Sequence, residues 1–411
     1  MTSRAFGSTL GGMADDEVDA LAGRLLTAGL GMTQMLSIYI GDRLGWYRAL
    51  ADGSARTSAQ LAEATSTDER YAREWLEQQA VFGLLEATDA GSDVGAGTAP
   101  GAGDGTGVGS GGAGAGSTAD AAANAGAAAS EAAAAAAGAR TFRLPPAAAE
   151  VLTDEHSLAY MAPFARTLTA AAVRMPELLD AYRSGDGVGW AEYGADMRES
   201  QADANRPWFE SRLADVLRSV PELKSALERP GARVAEIGFG GGHASIALAL
   251  GFPDAAITGF DVDEASVTLA RQNAADAGVH DRIDFHLANG ADLAGSFDVV
   301  FAFECVHDMA QPVPVLAAAR AALAPGGVMI VVDEAVADEF TAPGDETEQL
   351  MYGFSLLVCL PDGRSHTPSE ATGTVMRRSI LESYARRAGF AAVDVLPIEG
   401  FAAFRFYALR P

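Results

Sequence analysis

The run Glu236-Ile237-Gly238-Phe239-Gly240-Gly241-Gly242 places four glycines within five residues, directly after the apolar stretch that ends at Ile237. A helix is expected to begin near His243. Glycines between a strand and a helix permit a tight turn and let the backbone approach a ligand closely. The next strand should end in Gly259-Phe260-Asp261, where a carboxylate would accept hydrogen bonds from ribose hydroxyls. A glycine turn alone is a weak signal. Strand, turn, helix and acid in this order carry more.

Working outward, strands are expected at 234–237, 257–260, 283–287, 298–303, 328–332, 393–397 and 404–409. Helical stretches alternate with the first five, the mark of an open α/β sheet. No helix fits between the last two, so they should pair as an antiparallel hairpin. Residues 15–86 read instead as packed helices, with Leu36, Tyr39, Ile40 and Leu44 giving one apolar face. Thr57 or Ser58 is placed to cap one helix, and Ser66-Thr67-Asp68-Glu69-Arg70 opens another. A strand begins near Glu86 and a second at Thr141-Phe142-Arg143-Leu144, stopped by Pro145-Pro146. Helices followed by a strand pair is the order of a winged helix. Between those strands, residues 90–139 are almost entirely Ala, Gly, Ser, Thr and Asp, without an aromatic residue. Such a segment buries too little apolar surface to offset its ordering entropy and is expected to be disordered, with Ala132 to Ala137 able to form transient helix. Its expected place is the tip of the wing hairpin, where loop length costs little.

Composition narrows the chemistry. The 411 residues suffice for more than one domain and a sizeable core. With 29 basic and 55 acidic residues the net charge is -26, which repels nucleic acid and anionic membrane surfaces. Arg70 to Arg73 do not make a DNA reader, because Glu69, Glu74 and Glu77 are interleaved with them. Two cysteines, Cys305 and Cys359, exclude a disulfide framework and a four-thiolate zinc site, and no metal is expected. The single lysine, Lys224, lies outside any phosphate-binding loop, which removes P-loop chemistry. Neither H-E-x-x-H nor G-x-S-x-G occurs. No signal peptide or transmembrane span is apparent, so a cytoplasmic location is expected.

Two cofactor classes compete for the glycine turn. A dinucleotide fingerprint would need glycine where His243 stands. The pattern is acid-x-G-x-G-x-G instead, and Glu236 would disfavour a pyrophosphate while suiting an ammonium group. In these features residues 231–411 resemble the class I S-adenosylmethionine-dependent methyltransferases. The resemblance implies a Rossmann-like seven-stranded α/β sheet with an antiparallel last strand. It implies cofactor contacts from Glu236, Gly238, Gly240, Gly242 and Asp261, flanked by Val262. Asn289 stands, as the amide, where the family has an adenine-contacting acid, followed by Gly290; Phe303 ends the fourth strand. The cofactor would be S-adenosyl-L-methionine and its product S-adenosyl-L-homocysteine.

The whole chain is similar to a narrower group, small-molecule methyltransferases with a mainly helical N-terminal winged helix used for dimerisation. Domains are expected at 1–165 (winged helix with its insert), 166–230 (helical roof over the substrate pocket) and 231–411 (cofactor domain). As in the plant O-methyltransferases, a His-Asp pair follows strand four, here Glu304-Cys305-Val306-His307-Asp308-Met309. The resemblance makes His307 the general base, assisted by Asp333 at the end of strand five. Cys359-Leu360-Pro361 and Thr372-Gly373-Thr374 also look like this group, with no role implied. The implied function is methyl transfer to an oxygen or nitrogen of a small molecule by a homodimer. A non-catalytic regulator or scaffold on the same fold, and a nicotinamide-dependent oxidoreductase, are the alternatives.

Each residue also has a plainer reading. The glycines shape a turn whatever binds there. A histidine near pKa 6.5 suits a general base, yet the same side chain can hold a loop by hydrogen bonds. Asp308 is better placed to cap the helix that starts near Pro312. Cys305 reads as a buried small hydrophobe rather than a nucleophile.

Overall fold

The computed structural model describes residues 13–89 and 139–411, in two compact units, Met1–Asp154 and Glu155–Pro411. In the first unit, helices span Met13–Arg43, Trp46–Leu50, Ser58–Thr65, Glu69–Val81 and Pro146–Thr153. Thr57 forms a capping box with Gln60, and Asp68 accepts the first free N–H groups of the next helix from Arg70 and Tyr71. Arg70 pairs with Glu74 at 2.6 Å and Arg73 with Glu69 at 3.2 Å, on their own helix. Three short strands, β1 (Arg56–Thr57), β2 (Glu86–Thr88) and β3 (Thr141–Arg143), form an antiparallel sheet in the order β1-β3-β2. The Ala/Gly-rich stretch expected to be disordered, including its alanine run, lies outside the described residues. The strands flanking it pair directly, with Ala87 opposite Phe142.

Trp46, Tyr47, Leu50, Leu61 and Leu76 form the centre of this unit's core. The Trp75 indole donates to the Ser37 carbonyl at 2.9 Å, and a Cβ on Gly41 would overlap the Trp75 ring. The long first helix is thereby held close at its C-terminal half. Its expected apolar face is only partly covered: Leu36 and Tyr39 are half-buried and Ile40 and Leu44 exposed, while Ile38, outside that face, is buried. One residue either side of a helix's buried line points it away from the core, so the periodicity placed the stripe slightly off.

The second unit opens with helices that include Ala162–Val173, Met175–Ser184 and Trp190–Trp208. Its sheet has seven strands: β4 (Arg233–Ile237), β5 (Ala256–Asp261), β6 (Ile283–Leu287), β7 (Phe297–Phe303), β8 (Leu323–Glu334), β9 (Ala392–Val395) and β10 (Phe404–Arg410). Their order is β6-β5-β4-β7-β8-β10-β9. The first five are parallel; β10 runs antiparallel to both β8 and β9. This is the expected α/β sheet with its antiparallel ending. β8 is longer than expected because the chain around Pro325-Gly326-Gly327 already follows β7, with a register irregularity between Phe297 and Val299.

Alternation along the strands builds two cores. Val299, Phe301 and Phe303 of β7 join Val328, Ile330 and Val332 of β8 on one face. Val300 and Ala302 join Met329 and Val331 on the other. β7 is buried throughout, as a strand covered by helices on both faces must be. The strand order reverses at β4, with β5 on one side and β7 on the other. The crevice above the carboxyl ends of these strands is where an open α/β sheet binds ligands. Among the described residues, no helix is long and apolar enough to cross a membrane.

Candidate active site

A cavity of about 1320 Å³ lies over the carboxyl ends of β4, β5, β7 and β8, within the second unit. Its walls include Glu236, Gly238, Gly240, Asp261, Val262 and Asn289. Gly290, Phe303 and His307 line it as well, while Gly242 and Asp333 stand behind the wall.

At one end the wall is backbone. Gly238, Gly240 and Gly242 have φ of +70°, +50° and +78°, the left-handed region that disfavours any side chain. The three differ in what surrounds them. A Cβ on Gly238 would fall 2.8 Å from Cys305, and one on Gly242 would fall 2.8 Å from the Ala270 Cβ. A Cβ on Gly240 meets nothing within 4 Å. The Gly240 N–H donates to Asp261 Oδ2 at 2.8 Å, while Asp261 Oδ1 accepts from the Asp263 N–H at 2.9 Å. Asp261 therefore ties the turn to the end of β5 and keeps its remaining lone pairs on the cavity. Glu236 is buried and accepts a hydrogen bond from the Ser245 hydroxyl. Burial, with the Asp261 charge nearby, pushes its carboxyl up to about 7.

Farther along this end, Gly290 fits closely, since a Cβ there would meet Ile237 and Val315 at 2.7 and 2.9 Å. The Asn289 side chain is exposed and accepts from the Ala291 N–H at 2.9 Å, so its oxygen already serves the turn. Val262 is 69% exposed, and Phe303 packs edge-on to Phe209 with ring centroids 5.3 Å apart.

The other end is built from side chains. Glu304, just past β7, has a φ of +48°, an uncommon backbone for a residue with a side chain. It turns the chain so that His307 enters the cavity floor, only 2% exposed. His307 Nδ1 donates to Asp333 Oδ1 at 2.9 Å, with Glu334 Oε2 at 3.2 Å. Its Nε2 lies 3.2 Å from Asp308 Oδ1. A neutral imidazole has one N–H, so carboxylates at both ring nitrogens favour the doubly protonated ring. Burial by itself pulls the His307 pKa down, but Asp308, Asp333 and Glu334 together outweigh it and raise it well above the ordinary value. Asp333 is held below its ordinary range although burial opposes this, because His307 and hydrogen bonds to Glu334 and His307 prevail.

Asp308 does not cap the following helix. Helix Pro312–Ala321 has Gln311 at its N-cap, without a side-chain cap bond, and Asp308 turns to His307 instead. Residue order offers Glu334, beside Asp333, as a second partner for His307, and the structure brings both acids to it. It assigns no role to Glu304, Asp362 or Thr374, although Asp362 directly follows Cys359-Leu360-Pro361 and Thr374 ends Thr372-Gly373-Thr374. The Gly373 N–H donates to the His307 carbonyl at 3.2 Å, and Asp362 accepts from the Trp190 N–H at 2.7 Å. Cys305 donates its thiol to the Ile237 carbonyl at 3.2 Å, and burial pushes its pKa well up. That suits a packing role and not a nucleophile.

Residues 228–369 match the family model described as a methyltransferase domain, and residues 31–90 match the Rv2258c-like winged HTH domain. The 27-O-demethylrifamycin SV methyltransferase of Amycolatopsis mediterranei is 35% identical over 126 residues, 30% of this chain and 44% of that protein. The chain spans about half the length of the curated relatives it matches. An O-methyltransferase family protein from Burkholderia thailandensis superposes with a TM-score of 0.62 at 17% identity, covering 98% of both chains. Human N-acetylserotonin methyltransferase, solved in complex with SAM, superposes with a TM-score of 0.61 at 16% identity, covering 98% of this chain and 99% of that one. Fold and domain matches agree: the chain carries a methyltransferase domain of the class I fold, with a winged helix-turn-helix domain ahead of it.

Proposed function

We propose that this chain transfers a methyl group from S-adenosylmethionine to an oxygen or nitrogen of a small molecule. One observation carries the reading: a left-handed glycine turn, tied by Asp261, opens on a cavity large enough for two ligands. The residues fit the cofactor. The space beside Gly240 is free of protein, Glu236 offers a buried carboxyl for an ammonium group, and Asp261 has lone pairs left for ribose hydroxyls. Asn289 and Gly290 would border the adenine, with Val262 and Phe303 as its apolar neighbours; Gly242 would support the turn from behind. The relative solved with SAM supports this assignment. S-adenosylmethionine supplies a methyl group already activated on a sulfonium, so the protein's main contribution is proximity and orientation.

His307 is the general base for a protonated acceptor, and Asp333 orients it through Nδ1. Because the carboxylates hold the ring protonated at rest, the Nε2 proton passes to Asp308 before His307 takes one from the acceptor. The winged-helix unit serves as a homodimerisation domain. Supporting this, Leu21, Leu25, Leu26 and Leu30 of the first helix are exposed, an apolar surface that a second copy would cover. The helices within residues 166–230 form the acceptor pocket's roof.

The test is calorimetric titration with S-adenosylhomocysteine on the wild type and on Asp261→Ala. Saturable one-site binding is expected, weakened by about tenfold or more in the variant, the cost of lost hydrogen bonds to a charged group. No binding to either form would overturn the reading, in favour of a nicotinamide cofactor or a non-catalytic scaffold.

A further inference from the structure

The cavity walls carry eight acidic side chains and a single arginine, Arg198. Three of the acids have work at the glycine-turn end: Glu236 and Asp261 as above, and Asp263 in an ion pair with Arg198 at 2.6 Å. Glu304, Asp308, Glu334 and Asp362 converge on the other end, with Asp333 just behind. Of the three histidines that line the cavity, His243, His307 and His366, it is His307 that pairs with Asp308, Asp333 and Glu334. His307 donates its Nδ1–H to Asp333, and the buried Glu334 Oε2 stands 3.2 Å from the same nitrogen, so two carboxyl groups share one N–H. The Thr374 hydroxyl, 2% exposed, lines the same end and has no partner. Tyr160, Phe164, Trp190 and Phe354 complete the walls above.

Resting on the methyl-transfer reading, we infer that the acceptor is an organic cation: an aromatic or apolar body bearing an ammonium group that seats among Glu304, Asp308, Glu334 and Asp362. Buried carboxyl groups in excess of their counter-ions are costly unless a ligand brings the missing charge. Aromatic faces around them favour the same charge. An anionic acceptor would find His307 as its one cation there, already engaged by carboxylates at both ring nitrogens. Burial now holds Glu304 at about 8 and Asp362 at about 7, so an arriving cation would ionise groups that otherwise keep their protons. An inorganic cation fits less well, because both ring nitrogens of His307 already face carboxylates at hydrogen-bonding distance, and the walls are aromatic.

The experiment titrates full-length protein, saturated with S-adenosylhomocysteine, with three probes of one shape. They are tyramine, the neutral 4-propylphenol and the anion 3-(4-hydroxyphenyl)propionate. Tyramine should bind at least about tenfold more tightly than 4-propylphenol, with the anion weakest. In Glu304→Gln and in Asp362→Asn that preference should shrink toward unity while S-adenosylhomocysteine affinity holds, which shows the variants are folded. Equal or tighter binding of the neutral or anionic probe overturns the inference, as does a preference that survives both substitutions or tyramine that fails to bind at millimolar concentration. Mn²⁺ added alone and followed by electron paramagnetic resonance tests the other occupant. Stoichiometric uptake at micromolar concentration that is lost in Glu334→Gln would make the cluster a metal site and overturn the ammonium. Failure of S-adenosylhomocysteine to bind strikes the methyl-transfer reading instead, and the three probes are then compared without it.

Discussion

The two ends of the cavity solve the same problem, holding polar groups at a fixed place, by opposite means. At the glycine turn the backbone does the holding: positive φ at three glycines, and one carboxylate that ties Gly240 to β5. At the His307 end side chains do it, drawn from the ends of β7 and β8 and from the loops near Asp362 and Thr374. A backbone site depends on what is absent, namely Cβ atoms. A side-chain site depends on charges balancing. The two should therefore fail differently.

The sharpest separation is functional. His307→Ala should lower methyl transfer by about 10²–10⁴-fold and leave S-adenosylhomocysteine binding unchanged in calorimetry. Asp261→Ala should do the reverse, with its main loss in cofactor affinity. If His307→Ala turned over normally, the histidine would be structural and the contrast would rest on packing alone.

Stability separates the glycines from one another. Gly242→Ala combines left-handed strain with a Cβ 2.8 Å from Ala270 and 3.0 Å from Phe285. It should destabilise the second unit by about 3 kcal/mol. Gly240→Ala has the strain without the overlap and should cost about 1–2 kcal/mol, while weakening the cofactor because its methyl enters the cavity. Urea unfolding measures both. Equal costs would mean that the turn relaxes as a whole and that crowding behind Gly242 is not what fixes it.

How far each end could be read in advance follows from the same difference. The glycine turn and Asp261 are a contiguous motif and the next strand's end, so residue order exposes them. The sheet is visible in the sequence because six of its seven strands are runs of four to seven residues broken by turns or helices. Asp308 misled because adjacency in sequence says nothing about direction; only the bend after Glu304 turns it toward His307. Glu334 is legible as the residue after Asp333 at a strand's end, whereas Asp362 is a single acid 55 residues beyond His307 that only the fold brings to the same cavity. On the long helix the expected stripe includes the exposed Ile40 and omits the buried Ile38, because spacing marks an apolar stripe but not which side of it a neighbour covers.

The pH profile of turnover tests the charge balance directly. A base acts when deprotonated, so activity should rise as pH climbs through the raised His307 pKa. Among the carboxylates, Asp308 does the most to raise it. Asp308→Asn should therefore shift the rising limb toward lower pH. An unmoved limb would show that another group limits the rate.

The smallest effect is the pH dependence of stability without ligand, and it tells the two ends apart. Burial raises Glu236 from 4.5 to about 7 and Glu304 from 4.5 to about 8. Above pH 4.5 the unfolded chain releases these protons while the folded chain still holds them. The folded state then binds more protons, so stability falls as pH rises through this window. His307, also raised, acts in the same direction. Asp333, lowered, acts oppositely but only below its ordinary 3.8. The unfolding temperature of the second unit should thus fall by several degrees between pH 5 and pH 8. Glu236→Gln should flatten the curve up to about pH 7. Glu304→Gln should flatten it further, to about pH 8. Saturating tyramine should do at the His307 end what the second substitution does, by replacing the protons with a fixed positive charge. A curve that both variants flatten over the same range would mean that the two ends titrate as one cluster, and that the division between a backbone site and a side-chain site does not extend to their protons.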